Sequence, residues 1–206
     1  MTTTEAPRPV GRPRDHTLDA VITGATLELL ADIGFAALTI EAVATRAGVG
    51  KATLYRRWPG KEQLVIDAVR TLVSEDPDPD TSAAVRDELV GLLEAVRRKS
   101  GSSLAGRIFP RLIGDSVDNP EFMRLYREQV LDPRRERFRT ALLRGVEQGL
   151  VRPDVDTDHA IDLLVGPMAY RNLIRNDPPP GPDFAARIVD DVLRALAPST
   201  SPQEHP

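Results

Sequence analysis

Apolar positions recur at helical spacing along most of the chain. Leu18, Val21, Ile22, Ala25, Leu29 and Ile33 predict a helix from Thr17 that Gly34 stops. Thr39 then offers an N-cap, Glu41 suits the positive end of a helix dipole, and Ile40, Val43, Ala44 and Ala47 form one apolar stripe before Gly48. A third helix is predicted from Lys51 to Trp58, ended by Pro59-Gly60, and a fourth from Lys61 through Leu64, Val65, Ala68, Val69 and Leu72. Beyond the acidic, Pro-rich stretch 74–82 the helical pattern resumes over 83–99, 103–116, 120–148, 157–175 and 182–197. Strand patterns are essentially absent, so the expected fold is all-α.

Four regions follow from this pattern: a disordered basic arm (1–14), a helix-turn-helix domain (15–75), a larger helical domain (76–197) and a disordered tail (198–206). With 206 residues, a small domain attached to a larger one fits the length. The absence of cysteine excludes disulfides and thiolate metal sites. The longest apolar runs look too short to span a bilayer, and "MTTTEAPRPVGRPRD" lacks the apolar core of a secretory signal. The cytoplasm is the expected compartment, with no membrane partner.

The formal net charge is −4, but it is unevenly distributed. Residues 1–70 hold nine Lys/Arg against eight Asp/Glu, whereas 71–206 hold eighteen against twenty-three. From Ala44 to Lys61 there are five cations (Arg46, Lys51, Arg56, Arg57, Lys61) and no acid. The basic charge is local, and it coincides with the two short helices around Gly48, whose spacing is that of a helix-turn-helix. In the second of them Leu54 and Trp58 share one face and should pack inward. Ala52 and Arg56 then lie opposite, with Thr53 and Tyr55 beside them and Lys51 and Arg57 on the flanks. A small, polar, cationic face suits a DNA major groove. Lys61, at a fresh helix start, could add charge and free N–H groups to a phosphate. The alternative reading is a solvated basic face on a purely structural helix pair.

The stretch "LTIEAVATRAGVGKATLYRRWPGKEQLVIDAV", Leu38 to Val69, resembles the DNA-binding signature of the tetracycline-repressor-like (TetR) family. The matching positions are Thr39, Val43-Ala44, Ala47-Gly48-Val49, Thr53-Leu54-Tyr55, Trp58, Lys61 and Leu64. The resemblance implies that Thr39 and Lys61 grip phosphates while Lys51, Ala52, Thr53, Tyr55 and Arg57 face the operator. The helical wheel prefers Arg56 to Arg57 as base reader, and both stay candidates. Trp58 stands where the family usually has Phe, and Gly50 where it usually has a Ser cap. "GRPR", Gly11 to Arg14, is similar to the core of an AT-hook, and its cations Arg12 and Arg14 suit a narrow minor groove.

The resemblance extends past the linker, through "RGVEQGLVRPDVDTDHAIDLLVGPMAYRNLI". It implies a small-molecule pocket among the middle helices and a homodimer built from the last two long helices. Ala160, Leu163, Leu164, Pro167 and Met168, with Ile188, Val192, Leu193 and Leu196, make both of those helices strongly apolar. Pro110, Pro133 and Pro167 each fall inside a helical run, where each should kink or split its helix and free a carbonyl. Phe109, Phe122, Met123, Tyr126, Phe138, Met168 and Tyr170 are candidate pocket residues, and their chemistry favours a small, mostly apolar effector. No catalytic motif occurs, and "DVDTDH", Asp154 to His159, has neither calcium-loop spacing nor a closing Glu. Neither an enzyme nor a cofactor is expected. The expected function is a homodimeric repressor of a palindromic operator on double-stranded DNA, released by the effector. The alternatives are a regulator controlled by a protein partner or acting as activator, and an enzyme or small-molecule carrier with structural N-terminal helices.

Overall fold

The computed structural model describes residues 16–74, 83–101, 104–175 and 180–198. The basic arm with Arg12 and Arg14, the stretch 75–82 and the tail from 199 lie outside them. Ten α-helices are formed among the described residues: α1 (His16–Ala37), α2 (Ile40–Ala47), α3 (Lys51–Arg57), α4 (Lys61–Ser74), α5 (Val85–Gly101), α6 (Ala105–Ser116), α7 (Pro120–Tyr126), α8 (Asp132–Glu147), α9 (Thr157–Ala169) and α10 (Asp183–Leu196). No strand occurs among these residues, as the all-α pattern predicts.

Gly34 breaks α1 where the sequence predicts the helix to stop. Its φ of 78° and ψ of 175° lie in a region open essentially only to glycine, and three further residues follow before the helix stops. The buried arc of α1 also differs from the expected stripe. Val21 and Ile33 are exposed, whereas Leu27, Leu30 and Ala31 are buried. The reason is that α1 packs against α6 as well as against α2 and α4. By length and composition Thr17–Ala37 could cross a membrane, with a mean hydropathy of 1.5, contrary to the expectation that no run is long enough. In the fold this helix carries core residues of the helix-turn-helix domain, Ile22, Leu30 and Ala31 among them.

Two apolar cores organise the chain. The first joins α1–α4 to α6 and α7, with Phe35 and Phe122 rings 4.2 Å apart and Tyr126 stacked beyond Phe122 at 6.2 Å. The second joins α5, α8, α9 and α10 around Leu89, Leu93, Leu142, Leu164 and Val189. Arg144 on α8 pairs with the buried Glu88 on α5 at 2.5 Å, inside this second half.

Two of the expected prolines mark changes of helical pitch. The run 120–148 divides into α7, a π turn (Arg127–Leu131) and α8. Pro133 has no N–H to donate, and just before it the Asp132 N–H reaches back to the Arg127 carbonyl, one residue further than an α-helical bond. Pro167 lies within α9, and a second π turn, Tyr170–Arg175, follows it. Pro110 stays inside α6 without such a division.

Candidate nucleic-acid interface and ligand cavity

The helix-turn-helix is set by its caps. The Thr39 hydroxyl accepts from the Ala42 N–H at 3.1 Å and starts α2. Gly48 takes the left-handed conformation (φ 68°, ψ 32°), and the Val49 N–H returns to the Ala44 carbonyl at 3.0 Å. The chain therefore turns sharply into α3. Leu54 and Trp58 anchor its inner side, with the Trp58 indole N–H donating to Asp67 on α4 at 2.9 Å. Lys51, Ala52, Tyr55 and Arg56 are exposed and Thr53 is half-buried. The inward and outward faces are those the helical wheel assigns.

The acid-free window is compensated from elsewhere in the fold. Arg46 pairs with Glu28 at 3.0 Å, and Lys51 with Glu41 at 2.7 Å. The hydrogen bond from Lys51 holds the Glu41 carboxyl below the usual carboxylate range. Arg57 is 11% exposed and turns back to Asp19 on α1. Lys61 donates to the Phe35 carbonyl at 3.1 Å and lies over the Phe35 ring, 4.3 Å from its centre. Of the five cations, Arg56 alone has no ion-pair or hydrogen-bond partner among the described residues. Arg57 is thus turned away from the outward face, and the Lys61 ammonium is turned inward rather than presented at the start of α4. Both differences arise from partners on α1 that lie far away in sequence.

The middle helices line a half-open cavity of about 310 Å³. Its wall takes Val96 and Lys99 from α5, Phe109 and Ile113 from α6, Tyr126 from α7, Arg134, Arg135 and Phe138 from α8, and Ile161, Val165 and Met168 from α9. Leu131, Asn172 and Leu173 come from the two π turns. Four of the seven candidate pocket residues meet here: Phe109, Tyr126, Phe138 and Met168. The other three do not. Phe122 is fully buried in the first core against Phe35, Met123 packs on that core, and Tyr170 is exposed on the outside of the second π turn. Burial pushes the Tyr126 phenol up to about 12, with Arg134 pulling the other way. A second hollow of about 440 Å³, between α1 and α4, opens widely to solvent. Its two carboxylates, Asp19 and Asp67, are already engaged by Arg57 and Trp58.

The sequence reading missed the cations of the wall and the joint between cavity and helix-turn-helix. "DPRRERFR", Asp132 to Arg139, is a basic run directly after a proline-marked break, and that was the available signal for Arg134 and Arg135. The joint is α6. Phe109 and Ile113 line the cavity, while Arg111 donates to the Ala31 carbonyl at 2.5 Å and Asp115 accepts from the Phe35 and Ala36 N–H groups at 2.7 and 3.1 Å.

A helix-turn-helix with an exposed, partly cationic second helix, mounted on a helical domain with a half-open cavity, defines a DNA-binding transcription regulator. Comparison with known proteins gives the family. Residues 22–68 match the model for bacterial regulatory proteins of the tetR family, and residues 78–192 match that of the tetracyclin repressor-like C-terminal domain. The chain belongs to the TetR family. It is 34% identical over 168 residues to the HTH-type transcriptional regulator YdeS of Bacillus subtilis, covering 81% of this chain and 84% of that one. It is 27% identical over 184 residues to the DNA-binding transcriptional repressor TetR of Mycobacteroides abscessus, covering 89% and 95%. The crystal structure of the TetR family regulator SCO0332 superposes with a TM-score of 0.65 at 33% identity, covering 88% of this chain and 99% of that one.

Proposed function

We propose that the protein is a homodimeric repressor that binds a palindromic operator through α3 and is released when a small, mostly apolar effector enters the cavity. The observation that carries this reading is Arg56, exposed and, among the described residues, unpaired, beside Lys51, Ala52 and Tyr55 on a helix anchored from within by Leu54 and Trp58. An arginine placed so can bond a guanine edge, while Tyr55 and Ala52 meet thymine methyls or phosphates. Thr39, Lys51, Thr53 and Lys61 would hold backbone phosphates, with Lys51 leaving Glu41 and Lys61 leaving Phe35 to do so. Arg57 serves chiefly to fix α3 on α1. Arg12 and Arg14 would extend the contact into an A·T-rich minor groove.

Two features support the rest of the mechanism. On α9 and the turn after it, Leu163, Tyr170 and Ile174 are exposed apolar side chains, 40%, 55% and 72% accessible in the single subunit. Ala160, Leu164 and Met168 on α9, and Ile188, Val192 and Leu196 on α10, are already buried within it. The surface left for a partner on α9 is therefore the outer stripe. The second feature is α6, which touches both cavity and α1. An effector that displaced Phe109 or Ile113 would act on the Arg111 and Asp115 contacts, shifting α1 and α3 together. A coupling of about 1–3 kcal/mol suffices for a useful switch.

A gel shift on the DNA upstream of the protein's own gene tests the reading. A retarded band that competes with itself but not with unrelated DNA at moderate salt is expected. Binding without sequence preference would overturn it, and binding that raises transcription would replace the repressor with an activator.

A further inference from the structure

Five polar side chains stand in the cavity wall: Lys99, Tyr126, Arg134, Arg135 and Asn172. The three cations are already engaged. Arg135 is held by Asp162 and Asp158 on α9, at 2.7 and 3.0 Å, and Lys99 and Arg134 also have partners within the chain. The two neutral side chains are not: neither the Tyr126 hydroxyl nor the Asn172 carboxamide has a hydrogen-bond partner among the described residues. Tyr126 is 4% exposed, but its hydroxyl oxygen is not fully enclosed, so the space it meets is the cavity. Its ring is fixed by stacking on Phe122, 6.2 Å away, inside the first core. Burial also keeps the phenol protonated, with its pKa pushed up to about 12, so at neutral pH it is a hydrogen-bond donor.

We propose that the effector is an uncharged, mostly apolar molecule bearing a carbonyl-type acceptor, with its body against Phe109, Phe138 and Met168 and its acceptor on the Tyr126 hydroxyl. This rests on the reading of the cavity as the ligand site and names its ligand class. A body without an acceptor would cover the phenol and leave a buried donor unpaired, which disfavours it. An anion would have to draw Arg135 or its neighbours from the partners they already hold, and would give up its own hydration to do so. Asn172, which both donates and accepts, can serve a second polar group on the same molecule. At protein-like packing density, 310 Å³ accommodates about a dozen non-hydrogen atoms, the size of a bicyclic ketone.

The test is calorimetric titration of the full chain with three probes of that size: tetralone, its parent hydrocarbon tetralin, and tetralin carboxylate. In the parent protein tetralone should bind, and the carboxylate should bind no more tightly. Tyr126→Phe, which keeps the ring stack, should cut the affinity for tetralone relative to tetralin by about tenfold and leave tetralin itself unchanged. Ile113→Trp should block tetralone by filling the cavity, with Phe109→Trp as its substitute if the first variant fails to fold. Retained circular dichroism and melting behaviour show folding. Failure of tetralone to bind, a tetralone-to-tetralin ratio that Tyr126→Phe leaves unchanged, or a carboxylate that binds more tightly than tetralone overturns the proposal. Loss of binding in Ile113→Trp with no effect of Tyr126→Phe refutes the acceptor while keeping the cavity as the ligand site. Tetralone binding that survives the filled cavity refutes the ligand site itself.

Discussion

Asp115 gives the sharpest test of how the two halves of the molecule are joined. Its Oδ2 accepts from the Phe35 and Ala36 N–H groups, just past the break at Gly34. A Cβ built on Gly34 would stand 2.8 Å from that same oxygen, and the Gly34 backbone lies at φ 78°, ψ 175°. Gly34→Ala should therefore cost twice, once for a backbone conformation that L residues avoid, about 1–3 kcal/mol, and once for displacing the carboxylate. Asp115→Ala removes two charge-assisted bonds. Each such bond is worth about 1.5–3 kcal/mol when sheltered, and less at this half-exposed site, so a net loss of about 2 kcal/mol is expected. For a chain of this length that is a fall of about 4–8 °C in melting temperature. In the double variant the clash no longer exists, so Gly34→Ala should cost less on the Asp115→Ala background, with an interaction energy of about 1 kcal/mol. Urea unfolding of the four proteins at one concentration, far above the dimer dissociation constant, measures the cycle. Strict additivity, or a Gly34→Ala cost below about 0.5 kcal/mol, would refute the latch.

Arg56→Ala should weaken operator binding by about 1–3 kcal/mol and leave the melting temperature unchanged. Arg57→Ala should lower stability by about 1–3 kcal/mol because it leaves the largely buried Asp19 without its partner; anisotropy and thermal melts on both variants distinguish the roles, and an exchange of the two results would reverse the assignment. Asp190 accepts from Arg86 at 2.6 and 3.0 Å, and the first of these effects, the hydrogen bond, holds its carboxyl below the usual range. A depressed carboxyl stabilises the fold above its unfolded value of about 3.9 and loses that contribution as pH falls through the lower folded value. Asp190→Asn should accordingly melt lower than the parent at pH 6, with the gap closing in acid; a constant gap from pH 6 to 3 would count against the pair. Leu163→Arg should weaken the dimer at least about tenfold in sedimentation equilibrium, and an unchanged dimer would move the interface off this stripe of α9.

What could be read from the sequence was local. Thr39 and Gly48 cap α2 because a hydroxyl and an unhindered backbone act within a few residues, and both were readable as caps. Leu54 and Trp58 were readable as the inner face of α3 because helical periodicity fixes which residues share a side. What was hidden depends on contacts across the chain. Lys61 is drawn to Phe35 and Arg57 to Asp19, and neither partner is visible from a helical wheel of α3 or the start of α4. Phe122 has the same composition signal as Phe109 and Phe138, yet α7 turns it onto Phe35 and away from the cavity. The prolines announced breaks, but not that Pro133 and Pro167 would be accompanied by π turns whose residues Leu131, Asn172 and Leu173 line the wall.

The central claim is that two copies of α3 read a two-fold operator with Arg56. A nuclease footprint of the dimer on the DNA upstream of its gene tests it most directly, run beside the Arg56→Ala protein. Two protected half-sites related by a dyad, with centres about one helical turn or a whole multiple of ~34 Å apart, are expected, and the variant should lose protection at the same salt. A single unrepeated site, or a footprint that Arg56→Ala leaves intact, would contradict it.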